Sequence, residues 1–356
     1  MIQDLLIKNF TVFREARIAF AKGINVVIGS NGAGKSHILK LAYTGARWSQ
    51  EMALREKSQI RPDKATLQKE MARKLMNVFR CENVGRLSTR GQGVRRTEVT
   101  LKFHERPKAG VQFSFSTKST VDVVLDKVPT QFYEDEAVFF PTKEMLTMFP
   151  GFTSLYRNYA LQIDETYYDL CLALDKPLPR GRKLDEVRPM LAMVEDILQG
   201  SIELRTDRFY LKKPGGGDFE IPLVAEGFRK LGTVAYLLAN GTLARQSILF
   251  WDEPETNLNP AYMIKLAELL VLLARHGTQV IVSTHSLFMM RELSLLLQRS
   301  ENADVDRQFF ALELAVDGAK LMSGKSADAI EPIAALDAEV EQSERYFDSQ
   351  DQQRPS

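Results

Sequence analysis

Gly29-Ser30-Asn31-Gly32-Ala33-Gly34-Lys35-Ser36 decides how the rest of the chain is read. It fits G-x-x-x-x-G-K-[ST], a loop whose backbone N–H groups curl round a phosphate. The apolar run from Ile24 to Ile28 reads as a buried strand entering the loop, and Ile38, Leu39, Leu41 and Ala42 recur as one face of a helix leaving it. The helix start adds its partial positive charge to the phosphate site. In this pattern Lys35 reaches the β- and γ-phosphates of a nucleotide and the Ser36 hydroxyl ligates Mg²⁺. Asn31, Gly32, Gly34, Lys35 and Ser36 are the candidate nucleotide contacts.

A second apolar run, Ser247-Ile248-Leu249-Phe250-Trp251, ends in Asp252-Glu253-Pro254-Glu255. Such a strand delivers Asp252 to the metal shell of a phosphate site, and Glu253 beside it is placed to orient or deprotonate the attacking water. Asn259 is an N-cap with Pro260 at the first helical position, and that helix is expected to run to about Arg275 and stop at His276-Gly277. The next strand, Gln279 to Val282, ends in Ser283-Thr284-His285-Ser286, which aims His285 at the γ-phosphate. Glu253 and His285 are the candidate catalytic residues, and Ser36 and Asp252 the candidate metal ligands.

Around these halves the pattern is mixed. Residues 2–8 and 16–20 alternate like short strands, 48–80 have helical spacing, and 97–125 alternate again. Ala137 to Phe140 reads as a strand, 154–200 as helical but interrupted by a loop at 177–183, and residues 202–211 and 218–224 as a hairpin closed by Pro214-Gly215-Gly216-Gly217. From Arg47 to Lys108 there are 16 Lys/Arg against 7 Asp/Glu, although the whole chain of 356 residues carries a net charge of +1. Arg86, Arg90, Arg95 and Arg96 lie in a Gly/Ser/Thr-rich loop, so this segment is either a phosphate-tracking face for DNA or RNA or a solvated surface. The two cysteines, Cys81 and Cys171, give neither a disulfide framework nor metal-ligand spacing. No signal peptide pattern opens the chain and no apolar run approaches the roughly 20 residues that span a bilayer. A cytosolic protein without a membrane partner is expected.

These segments together resemble an ABC-class ATPase head of the group that holds SMC, RecF and the double-strand-break repair ATPases. In that resemblance residues 29–36 are Walker A, 248–253 Walker B, 255–260 the D-loop, and His285 the switch histidine. Val224-Ala225-Glu226-Gly227-Phe228-Arg229-Lys230-Leu231-Gly232 is similar to the S-x-G-x-x-[KR] signature of RecF- and OLD-like ATPases, with Ala225 where the class usually has Ser. It makes Glu226 and Gly227 candidate nucleotide contacts, supplied across a homodimer or higher oligomer. No Gln stands where the Q-loop should begin; the chain has FFPTKEM at 139–145. The E-P-E-T-N-L-x-P form of Walker B and D-loop is typical of the OLD-like group, the AAA15/AAA21 type.

The resemblance implies an α/β fold of ABC type: a mixed sheet core, an antiparallel β subdomain and a helical insert. Residues 1–326 form one head with an insert at 46–200 carrying a helical and β lobe, and 327–356 an acidic helix and tail. About 30 residues follow Lys325, too few for the Toprim nuclease domain of OLD nucleases. A stand-alone, Mg²⁺-dependent ATPase is therefore expected, an ATP-gated regulator or sensor whose effector is a separate nuclease or toxin, as in many bacterial anti-phage systems. A RecF-like ATPase clamping DNA is the alternative. From Asp328 to Asp351 eight acidic residues face one basic, and Ile333, Leu336, Val340 and Phe347 fall on one helical stripe. That segment reads either as a helix packed back on its domain or as a docking helix for a basic partner.

Overall fold

The computed structural model describes residues 1–58, 61–179, 183–243, 246–330, 341, 342 and 344–346. A six-stranded sheet runs in the spatial order β14 (Gly318–Gly324), β13 (Arg307–Ala315), β3 (Ile24–Gly29), β12 (Gln279–Thr284), β11 (Ile248–Asp252), β7 (Ala137–Phe140). The five strands from β13 to β7 are parallel, and β14 closes one edge antiparallel to β13. Every residue of β3, β11 and β12 is buried. A parallel sheet covered on both faces needs apolar side chains at successive positions, so these strands appear as unbroken runs. Along β11, Leu249 and Trp251 enter one core and Ile248 and Phe250 the other.

On one face α1 (Lys35–Ser58) lies between the central sheet and a second, antiparallel sheet. That sheet orders β2 (Phe13–Ala19), β1 (Ile2–Phe10), β4 (Arg96–Phe103), β5 (Val111–Ser116) and β6 (Val124–Lys127). A Cβ at Gly45, in the middle of α1, would come within 2.5 Å of the Leu101 Cδ2 on β4, so helix and sheet approach closely there and a larger residue would have to displace that leucine tip. The other face carries α3 (Phe152–Asn158), α4 (Glu165–Leu174), α5 (Lys183–Leu198), α6 (Glu226–Ala239), α7 (Pro260–Arg275) and α8 (Leu287–Gln298). Residues 46–200 contribute to both sheets: β4, β5 and β6 extend the antiparallel sheet from β1, and β7 pairs with β11 at the edge of the central one.

Three expectations change, the smallest being 218–224, which is strand only over Gly217–Glu220 and a 3₁₀ turn over Ile221–Leu223. Residues 202–211 are not one strand but two, β8 (Ser201–Arg205) and β9 (Arg208–Lys213), with β10 (Gly217–Glu220) as the third of a small sheet. Thr206 and Asp207, with φ of 45° and 65°, reverse the chain in a tight turn that no glycine marks. The helical stretch 48–80 is likewise two helices, α1 and α2 (Lys64–Phe79), the second restarted by Asp63, whose side chain accepts from the Thr66 N–H. The apolar stripe Ile333, Leu336, Val340 and Phe347 lies outside the described residues, and Glu341, Gln342, Glu344 and Arg345 are exposed.

Behind the phosphate-binding loop α1 is held by buried charge. Lys74 on α2, with a fully buried side chain, places its Nζ 2.8 Å from Glu51, 3.0 Å from Glu165 and 2.7 Å from Asp169. Arg47 reaches Asp169 at 3.4 Å, Glu51 at 3.3 Å and Glu136 at 3.6 Å, while the Tyr43 hydroxyl donates to Asp169 at 2.6 Å. The three carboxylates that cluster as a metal site would thus enclose an ammonium group. Burial opposes the charge on Lys74, but Asp169, Glu51 and Glu165 outweigh it and raise its pKa. Burial likewise opposes the Asp169 charge, and Lys74 and Arg47 overcome it, whereas burial dominates at Glu165 and raises its pKa. At the start of the same helix, Lys40 pairs with Asp164 at 2.8 Å.

Candidate nucleotide site

The site lies where β3, β12 and β11 end side by side, the carboxyl edge at which ligands of open parallel sheets bind. β3 ends at Gly29 and α1 begins at Lys35, so the loop between them is short and tightly folded. Gly34, at φ of 98°, is forced to be glycine twice over: a Cβ would also lie 2.6 Å from the Phe13 ring and 2.8 Å from Val12. Gly32, at φ of 82°, has nothing within 4 Å of a Cβ, and Asn31 is exposed, so the loop's outer face is open. The buried Lys35 ammonium donates to the carbonyls of Gly29 at 2.8 Å and Ser30 at 3.1 Å. Burial lowers its pKa, against the opposing pull of Glu253, Asp252 and Glu255. Next to it, His37 joins the loop to the β1–β2 turn through Thr11 at 3.0 Å, and burial lowers its pKa too.

Asp252 ends β11 in register with Ser283 of β12, and the Ser283 hydroxyl donates to its carboxylate. Glu253 then adopts φ of 51°, a left-handed conformation that a residue with a side chain accepts only where its surroundings hold it. The Glu253 N–H to Ser283 carbonyl bond at 2.9 Å supplies that hold. The turn lifts the Glu253 carboxylate out of the sheet, half buried, with Oε1 3.3 Å from Nδ1 of the exposed His285. Asn259 caps α7 through the Tyr262 N–H, Pro260 starts the helix, and it ends at Arg275, all as the sequence indicates.

Gly227 lies in the first turn of α6, and a Cβ there would meet the Asn257 carbonyl at 2.6 Å and Leu258 at 2.7 Å. This glycine is therefore required by close packing on the D-loop of its own chain. Ala225, at the N-cap, makes no side-chain capping bond. Lys230, one turn on, is buried and donates to the Thr256 carbonyl at 3.2 Å; burial lowers its pKa against Glu226, Glu255, Glu253 and Asp252. Gly227 thus packs on the 255–260 loop of its own chain, with Glu226 close enough to Lys230 to act on its charge. In the FFPTKEM segment Lys143 is exposed, while Glu144 pairs with Arg229 of α6 at 3.0 Å and Arg229 donates to Thr147 at 2.6 Å. The loop after β7 is fastened to α6.

The residues fit a nucleoside triphosphate with a divalent cation. The open glycine loop and the lysine held only by carbonyls suit phosphate, and the Ser36 hydroxyl and Asp252 carboxylate are the hard oxygen donors magnesium takes. Sequence reasoning passed over Glu255, Lys230, Ser283 and Thr284, which pack round the site; the second glutamate of Glu253-Pro254-Glu255 was the available signal.

Comparison with known proteins agrees with this geometry. The family profile described as "AAA domain, putative AbiEii toxin, Type IV TA system" matches residues 126–291, and a second, "AAA domain", matches 4–136. The "DNA double-strand break repair Rad50 ATPase" of Pyrococcus abyssi is 41% identical over 54 residues, covering 15% of this chain and 6% of that protein. The protein of the same description from Thermococcus kodakarensis is 43% identical over 47 residues, covering 13% and 5%. The shared stretch is thus a small part of those relatives' length. A solved SMC head, "bound to the C-winged helix domain of ScpA", superposes with a TM-score of 0.56 at 14% identity over 92% of this chain and 98% of that one. Residues 4–136 and 126–291 thus resemble AAA domains, and the fold is the α/β P-loop fold of an SMC-type head.

Proposed function

We propose that the chain binds ATP with Mg²⁺, hydrolyses it slowly, and works as an ATP-gated dimeric regulator of a separately encoded effector, a nuclease or toxin, in anti-phage defence. The observation that carries the hydrolytic part is the convergence of Lys35, Asp252, Glu253 and His285 at three adjacent strand ends. Lys35 binds the β- and γ-phosphates, and Ser36 with Asp252 holds the cation. Bound Mg²⁺ would offset the phosphate charge and polarise the γ-phosphoryl group. Glu253, turned outward by its left-handed backbone, orients the water and accepts its proton, and His285 faces the same oxygens from β12. Glu226 and Gly227 at the start of α6 contact nucleotide on a facing copy. Residues 1–326 act as one head, and the acidic segment beyond them docks a basic effector. The regulator reading is supported by the toxin-system description of the profile over residues 126–291.

Substitution tests the chemistry directly. Glu253→Gln keeps ATP binding and loses about 10²- to 10⁴-fold in turnover, whereas Asp252→Ala loses magnesium-dependent binding as well. Light scattering of Glu253→Gln with and without ATP·Mg²⁺ reads dimerisation. Parental turnover by Glu253→Gln refutes the base, and a mass that stays monomeric with ATP refutes the gate. A second reading, an ATPase that clamps DNA, is favoured by the Rad50 matches and by the exposed Arg90.

A further inference from the structure

Beside Asp252 and Glu253 the site holds a third carboxylate, Glu255, which is buried. Its side chain is 4% exposed. Oε1 accepts from the Thr284 hydroxyl at 2.6 Å and from the His285 N–H at 3.3 Å, and it lies 3.6 Å from His285 Nδ1. The Thr284 hydroxyl in turn accepts from the Ser286 N–H at 2.9 Å, and the Ser286 side chain caps α8 through the Met289 N–H at 3.2 Å. Thus three consecutive residues at the end of β12 are tied, directly or through one hydroxyl, to one oxygen of the D-loop. The second oxygen, Oε2, is buried without a hydrogen-bond partner among the described residues.

A buried carboxylate oxygen without a hydrogen-bond partner is destabilising, so stability alone does not explain a glutamate here. The placement does: Glu255 opens the turn through Thr256, Asn257 and Leu258, with Asn257 in the left-handed region at φ of 65° and pressed against Gly227 of α6. The turn thus links the α6 start and the D-loop to the end of β12. We propose that Glu255 is a positioning residue, anchoring the Thr284–Ser286 segment so that His285 stands against Glu253 and follows the state of the D-loop. It rests on the hydrolytic reading of the site for its consequence in turnover. Its acceptor oxygen is what matters, which separates it from a carboxylate acting as base.

Four proteins test this: Glu255→Ala, Glu255→Gln, His285→Ala and the double variant Glu255→Ala/His285→Ala. Glu255→Ala is expected to lower kcat at least tenfold with KM for ATP changed less than twofold. Glu255→Gln, which keeps an acceptor oxygen, restores kcat to within about threefold of the parent. In the His285→Ala background Glu255→Ala costs less than twofold, because residues that act through one another are not additive. Independent, multiplying losses, or a Gln variant as poor as the Ala variant, overturn the proposal. A second readout needs no turnover: amide exchange in residues 283–286 of the nucleotide-free chain should accelerate at least tenfold in Glu255→Ala, return with Gln, and leave α7 unchanged. Unaltered exchange overturns the anchoring. Should the unsubstituted chain hydrolyse no ATP, the hydrolytic reading fails and the exchange experiment still decides this one.

Discussion

Lys74→Met is the substitution whose effect can be worked furthest from the structure. It removes the ammonium enclosed by Glu51, Glu165 and Asp169 at 2.7 to 3.0 Å and leaves a side chain of similar length. Breaking a buried ion pair by deleting one partner costs about 3–5 kcal/mol, because the remaining charge stays buried. Two features put this case at the low end. Burial already raises the pKa of Glu165, which can take up a proton, and Arg47 still faces Asp169 at 3.4 Å. With an unfolding entropy of about 2.1 cal/mol/K per residue, a loss of about 3 kcal/mol in a chain of 356 residues lowers Tm by roughly 4 °C. The sign with pH follows from the partners. In the parent, Asp169 is depressed, so its contribution is present above the ordinary carboxylate value and lost as pH falls; Lys74 is raised, so its contribution is lost only as pH rises past the ordinary lysine value. Without Lys74 the carboxylates rise instead, a penalty that disappears as they protonate. Calorimetry should therefore show a gap of roughly 4 °C at pH 8 that narrows toward pH 5. Equal Tm values at pH 8, or a gap that widens on acidification, refute the reasoning. Lys57→Met, whose pair with Glu134 is about half exposed on both sides, is the control and should cost at most about 1 kcal/mol.

Three other outcomes follow from particular contacts. Gly34→Ala should weaken ATP binding at least tenfold by fluorescent-nucleotide titration, with an unchanged circular dichroism spectrum, because its Cβ would collide with Phe13 and Val12; parental affinity would show that the loop can shift freely. If the basic segment tracks a phosphate backbone, Arg90→Glu with Arg95→Glu should flatten the salt dependence of duplex binding by about 0.9 per lost contact. Arg86→Glu with Arg96→Glu should do less, since those side chains already pair with Glu82 and Asp126, and equal effects from both pairs argue against a specific path. Cutting the chain after Lys325 would remove Ala327 and Ile330, which belong to the core, so the acidic segment is better tested by ending the chain at Ile330. Tm should then stay within about 1 °C while a basic partner is lost in co-purification, and a much lower Tm would return that segment to the fold.

The site was more legible than the fold around it, and the reason lies in what each part needs. A phosphate loop requires glycine at fixed positions: Gly34 has no room for a Cβ, so Walker A appears as a pattern of residue types. Parallel strands buried on both faces require apolar runs, which exposed β3, β11 and β12 with almost their true limits. The turn at Thr206-Asp207 requires only backbone angles that two polar residues adopt here without glycine, so one expected strand proved to be two. Gly227 carries a second demand that the signature does not announce, since its own chain leaves no room for a Cβ against the Asn257 carbonyl.

Pairing across long separations was the least legible. Lys74 stands 91 residues from Glu165 and 95 from Asp169, and in sequence it is one more positive charge in a segment with 16 Lys/Arg against 7 Asp/Glu. Folding turns that lysine and Arg47 inward, where they neutralise carboxylates, while Arg86 and Arg96 pair at the surface. The basic excess available to a nucleic acid is accordingly smaller than the sequence suggests, and it is spread over exposed residues such as Lys64, Lys69, Arg90, Lys102 and Lys108. The same charges that weaken the case for a broad nucleic-acid face strengthen the case for a rigid site: they clamp α1, whose first turn carries Lys35 and Ser36, to α2, α4 and the edge strand β7. A nucleotide bound at the start of α1 would thus be felt through the helix by charge pairs that cannot slide without leaving a carboxylate buried and alone.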